Sequence, residues 1–76
     1  MARDFKDIQK SLSLRIRALR TQAGLTQEQL ALQADVDRTY VSQIERAVGN
    51  PSLLVLSKLA GVLRVNVGEF FDNSTQ

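Results

Sequence analysis

Apolar residues recur three or four apart along most of the chain, and no stretch alternates apolar with polar. The pattern therefore predicts helices and no strands. Phe5, Ile8, Leu12, Ile16, Leu19 and Ala23 form one stripe on a first helix, with Leu14 off the stripe as an isolated exposed residue or a small contact. Gly24 supplies the stop, because a left-handed residue just past a helix is cheapest as glycine. Thr26-Gln27-Glu28-Gln29 has the form of a capping box, a hydroxyl at the N-cap and an amide three residues on, and opens a second helix with Leu30, Ala31 and Ala34 inward. The pattern breaks at Asp35-Val36-Asp37, where Val36 is placed to plug the core from the turn and Asp37 to cap a third helix running to about Arg46. After the loop 47–51, Ser52 can cap a fourth helix from Leu53 to about Leu63, with Leu53, Leu56, Leu59, Ala60 and Leu63 inward. Asn66 can cap a short fifth helix containing Val67, Phe70 and Phe71, and the polar tail 72–76 is expected to fray. The expected fold is a compact all-α domain of five helices.

Composition narrows what such a domain can do. With 76 residues the chain holds a single domain with a thin core, for which oligomerisation is a natural source of stability. It has no Cys and no His, which removes a zinc finger, a thiol nucleophile and a Ser-His-Asp triad and leaves no expected metal site. The acid pairs Asp4/Asp7 and Asp35/Asp37 are explained by a helix start, a turn and a cap, and there is no glycine-rich phosphate loop. No enzyme activity and no cofactor are therefore expected. No apolar run approaches the roughly 20 residues that span a bilayer, and the charged stretch 3–10 does not read as a signal peptide. A cytoplasmic location without membrane contact is expected. The net charge is +2 and the pI about 9.5, too mild to establish a polyanionic partner by itself. Six cations between Arg3 and Arg20 are opposed only by Asp4 and Asp7, which also fits a solvated helix face.

The third helix carries the functional reading. With Arg38 at zero on a helical wheel, Ser42, Arg46, Thr39 and Gln43 fall within roughly 140°, and Tyr40, Val41 and Ile44 fall opposite. Arginine, glutamine and hydroxyl side chains read base edges or grip phosphates, and this outer face holds no acid. Any surface helix is polar outside, so the joint before it matters more. Two short helices meet through a brief break with an apolar residue inside it. That is the arrangement whose second helix enters the major groove of DNA. Gln27, at the start of the second helix, can bring its amide and nearby N–H groups to a phosphate.

These segments, Gly24-Leu25-Thr26-Gln27-Glu28-Gln29-Leu30-Ala31, Arg38-Thr39-Tyr40-Val41-Ser42-Gln43-Ile44-Glu45-Arg46 and Asn50-Pro51-Ser52, resemble the lambda-repressor-like helix-turn-helix family of Xre/Cro type over about residues 11 to 71. The short form and the Arg38-Thr39-Tyr40 start are similar to the controller proteins of restriction–modification systems. The resemblance implies a transcription regulator, one helix-turn-helix domain over 1–76 with the motif at about 26–46, and a homodimer on a pseudo-palindromic double-stranded DNA operator. It implies that Gln27 braces the recognition helix and touches backbone, that Arg38, Thr39, Ser42 and Gln43 face bases, and that Tyr40, Arg46 and Asn50 approach phosphates. It also implies an ion pair between Arg20 and Glu45 tying the first helix to the third. Two positions depart from the family. Asp35 and Ala47 stand where it often has glycine. Either Ala47 adopts a strained left-handed conformation, or the helix runs on and Gly49 makes the stop.

One recognition helix reads too few bases to be unique in a genome, and two copies about one helical turn apart, roughly 34 Å, remedy that. Leu53, Val65, Val67 and Phe70, with Leu54 and Phe71 beside them, are candidates for the two-fold seam; they can equally be the end of the core. No small-molecule ligand is expected. An antitoxin on the same fold is the alternative function. RNA binding is a lesser one, since four aromatic residues make no visible stacking platform.

Overall fold

The computed structural model describes residues 3–71. Within them the chain forms α1 (Phe5–Gln22), α2 (Gln27–Ala34), α3 (Arg38–Glu45), α4 (Leu53–Leu63) and a closing 3-10 helix (Val67–Phe71). Each boundary has a local cause. Asp4 caps α1 by accepting the Asp7 N–H at 2.9 Å. Thr26 and Gln29 form the expected reciprocal capping box on α2, with bonds of 3.0 and 2.9 Å. Ser52 accepts the Val55 N–H at 3.1 Å and starts α4. Gly24 takes the left-handed conformation after α1 (φ 74°).

α2 and α3 pack as a pair, α1 lies along α3 and the 3-10 helix, and α4 closes the back of α2. The core gathers Leu12 and Ile16 from α1, Leu30, Ala31 and Ala34 from α2, Val41 and Ile44 from α3, and Leu56, Leu59 and Ala60 from α4. Val36 packs against this cluster from the turn, as its isolated apolar position predicts.

Four expectations are corrected. The fifth element is a 3-10 helix of five residues, not an α-helix. Its start is tied from within: the Asn66 N–H donates to the Glu69 carboxylate at 3.1 Å and the Glu69 N–H returns to the Asn66 carbonyl at 2.9 Å. Leu53, expected inward, is 70% exposed, because it sits in the first turn of α4, ahead of the stretch that α2 covers. Phe5 and Ala23, at the two ends of the α1 stripe, are exposed rather than inward. Phe70, a candidate for the seam, is fully buried. It fills the protein's own core and has no surface to offer a partner.

The two departures from glycine are real left-handed residues: Asp35 has φ 57° and Ala47 has φ 58°. Gly49 is left-handed as well (φ 80°), so the loop after α3 uses both stops that the sequence offers. An alanine in that region is disfavoured by roughly 1–2 kcal/mol. Ala47→Gly is therefore expected to stabilise the domain by about 1 kcal/mol in urea denaturation. An unchanged or lower midpoint would mean that the backbone carries no strain there.

Candidate nucleic-acid interface

α3 separates its chemistry by side. Val41, Ile44 and Glu45 are buried; Arg38, Thr39 and Arg46 are exposed; Ser42 and Gln43 are half-buried. Tyr40 is a correction. The wheel places it with Val41 and Ile44, yet it is 46% exposed, at the edge of the apolar face where the loop to α4 leaves room. Asp37 starts the helix by accepting the Thr39 N–H at 2.8 Å, and that backbone bond holds its carboxyl below the usual range. No acid lies among the exposed positions between Arg38 and Arg46.

The helix is held from behind by one buried carboxylate. Glu45 takes a forked pair of bonds from Arg20, Nε to Oε2 at 2.6 Å and Nη2 to Oε1 at 2.9 Å. Arg20 also donates from Nη1 to the Leu25 carbonyl at 2.7 Å, so α1, the start of α2 and the end of α3 meet at one guanidinium. Gln27 donates from Nε2 to Glu45 Oε1 at 3.1 Å. The expected ion pair is thus present and bidentate, and the Gln27 amide faces α3. Burial pushes the Glu45 carboxyl up most strongly, but hydrogen bonds from Arg20 and Gln27 and the charges of Arg20 and Arg17 together outweigh it, leaving the carboxyl below its ordinary value. The same bond from Glu45 raises Arg20.

Sequence reasoning missed three supports. Ser13, 8% exposed, donates its hydroxyl to the Glu45 carbonyl at 2.7 Å. Arg17 donates to the same carbonyl at 3.3 Å. Gln9 donates to the Gly49 carbonyl at 2.6 Å and ties the loop after α3 to α1. Their spacing was visible: 9, 13, 17 and 20 run along one flank of the apolar stripe of α1. In the loop, Asn50 is exposed, and a Cβ at Gly49 would meet the Gln43 Oε1 at 3.3 Å, so glycine lets the loop lie close against the Gln43 side chain. Tyr40, Gln43 and Asn50 line one small cleft. Arg38 and Thr39 stand at the other end of the helix.

A family model described as helix-turn-helix matches residues 16–70. The chain belongs to the helix-turn-helix family of Xre, lambda-repressor-like type. Among its family relatives, the control protein C.MunI from Mycoplasma sp. is 37% identical over 68 residues, covering 88% of this chain and 92% of that one. The restriction–modification controller protein C.AhdI from Aeromonas hydrophila superposes with a TM-score of 0.78 at 41% identity, covering 83% of this chain and 96% of that one. SinR, a master regulator for biofilm formation solved in complex with DNA, superposes with a TM-score of 0.75 at 37% identity, covering 80% of this chain and 98% of that one. The chain spans about half the length of several longer regulators that it matches, between 40% and 58%. Among the described residues, no helix is long and apolar enough to cross a membrane and no cluster of acids could hold a metal ion.

The buried pair gives the family fold a testable weakness. Removing Arg20 leaves the buried Glu45 charge with only the Gln27 amide and a 3.5 Å contact to Arg17, so Arg20→Ala is expected to destabilise the domain by about 3 kcal/mol in chemical denaturation. The Glu45 carboxyl lies below its ordinary value of 4.5 when folded, so its stabilisation is complete above that pH and is lost as the pH falls below it. Glu45→Gln should flatten that acid limb. An unaltered limb would place the acid sensitivity elsewhere.

Proposed function

We propose that this protein is a sequence-specific transcription regulator of the controller type, binding a pseudo-palindromic operator as a homodimer through α3. The observation that carries the reading is the acid-free row of exposed Arg38, Thr39 and Arg46 with half-buried Ser42 and Gln43, on a helix whose reverse side is clamped by Glu45. Arg38 and Gln43 have the donor and acceptor geometry for guanine and adenine edges, and the hydroxyls suit either. Arg46, at the C-cap of α3, and Asn50 in the loop beyond it are assigned to phosphates, with Tyr40 between them. Because one amide hydrogen of Gln27 goes to Glu45, its second amide hydrogen and the N–H groups of the first turn of α2 remain for a backbone phosphate. The similarity to controller proteins over nearly their full length supports the narrower assignment.

For the seam, Leu53 is 70% and Leu54 64% exposed, an apolar pair at the start of α4, and Val65 and Val67 are half-buried. Two such pairs across a two-fold axis would bury apolar area that a lone domain leaves in water. Leu53→Glu is expected to give a monomer by analytical ultracentrifugation at concentrations where the parent is dimeric, with operator affinity lost and thermal stability little changed. A dimer that survives both Leu53→Glu and Leu54→Glu would move the seam elsewhere.

The function itself is tested by titrating the protein against genomic fragments at two salt concentrations. An operator should stand out from bulk DNA by a large specificity ratio, roughly 10³ or more. Arg38→Ala should relax preference at one base position, and Arg46→Ala should weaken all sites alike. Equal, weak binding to every fragment would reject the regulator and favour the antitoxin. Identical behaviour of the two variants would reject the division between base and phosphate contacts.

A further inference from the structure

α1 carries a second cationic row. Lys6, Lys10, Ser13 and Arg17 fall within roughly 60° of one another around the helix and extend over roughly 16 Å along it. Ser13 and Arg17 face the end of α3, where both donate to the Glu45 carbonyl. The row therefore runs past the C-terminal end of the recognition helix. Lys6, Lys10 and Arg46 line one open groove there, together with Ser13 and Ala47. Both lysines are exposed, and the Arg17 side chain is 56% exposed. The acid in the groove lining is Glu45, whose buried carboxylate is held by Arg20 and Gln27, with Arg17 Nε 3.5 Å from it. Asp4 caps the first turn of α1 by accepting the Asp7 N–H, and the exposed Asp7 lies at the edge of the row, where it lines a second open groove with Lys10. Arg38, Ser42 and Arg46 form the ridge of α3 at i, i+4 and i+8, so the exposed row of α3 leads through Arg46 into the lysine groove.

We infer that Lys6 and Lys10 form a phosphate-binding surface on α1 that grips the sugar–phosphate backbone flanking the base pairs read by α3. The inference rests on the regulator reading above and adds a surface which that reading does not use. Three features support a duplex backbone as the occupant: the cations Lys6, Lys10, Arg17 and Arg46 set against the single exposed carboxylate of Asp7 at the edge of the row, a length of about two to three successive phosphates, and continuity with the end of the recognition helix. A solvated helix face would share the first feature only.

The test compares the parent with Lys6→Gln/Lys10→Gln on operator and on random duplex over a series of salt concentrations. Two lost phosphate contacts should lower the slope of log affinity against log salt by about 1.8, while the ratio of operator to random affinity stays the same. Lys6→Arg/Lys10→Arg should restore the slope. On duplexes trimmed of the flanking base pairs, parent and double glutamine variant should converge. Both lysines are exposed, so the thermal midpoint should hold within about 0.5 kcal/mol of stability. A slope unchanged by the double variant, or a difference that persists undiminished on trimmed duplexes, overturns the inference. A parent that binds duplex with the predicted lysine-dependent slope but prefers no sequence leaves the phosphate surface standing and removes the operator.

Discussion

The domain is organised around a carboxylate that ought not to be buried. A lone ionised group inside a small core would be neutralised or expelled, since taking it out of water costs several kcal/mol. Glu45 stays charged because Arg20 meets it with two parallel bonds and Gln27 adds a third. Those partners come from α1 and from the first residue of α2, so satisfying one charge fixes three helices relative to each other. The backbone of the same residue is held too, by Ser13 and Arg17. Apolar packing alone would tolerate small rotations of an eight-residue helix; a forked ion pair does not, because its geometry is specific.

That fixation is what the proposed base-reading role of α3 requires. Base reading requires side chains presented from a rigid element at a set angle. Pinning α3 at Glu45 places the anchor one residue from Arg46 and three from Ser42, while Asp37 and the turn at Asp35 hold the other end. The strain at Asp35 and Ala47 lies at the two ends of this one helix. Left-handed residues on either side of α3 let the chain turn abruptly into and out of it.

How much could be read from the chain followed the range of the interactions. The capping box of α2, the caps at Asp37 and Ser52 and the stop at Gly24 join residues within a turn of each other, and they are visible as short patterns. The division of α3 into two sides was also legible, except for Tyr40 at its margin. Leu53 was harder, since Leu53, Leu54, Val55 and Leu56 are consecutive apolar residues and periodicity does not say which of them lies beyond the neighbouring helix. Phe70 and Phe71 pose the same problem: only the packing shows that the first is buried completely and the second partly. Arg20 and Glu45 are 25 positions apart and Gln9 and Gly49 are 40 apart, and no local pattern pairs them. The first pair came from family resemblance; the second had no signal beyond a polar residue on the flank of α1.

The proposed contact is between duplex DNA and the side of α3 opposite Glu45. It is tested most directly by nuclear magnetic resonance on isotope-labelled protein titrated with an operator duplex. Shifts are expected to concentrate on the side chains of Arg38, Thr39, Ser42, Gln43 and Arg46 and on the first-turn amides of α2, with the Arg20–Glu45 contact unperturbed. Shifts confined to α4 and the 3-10 helix, with α3 silent, would contradict it.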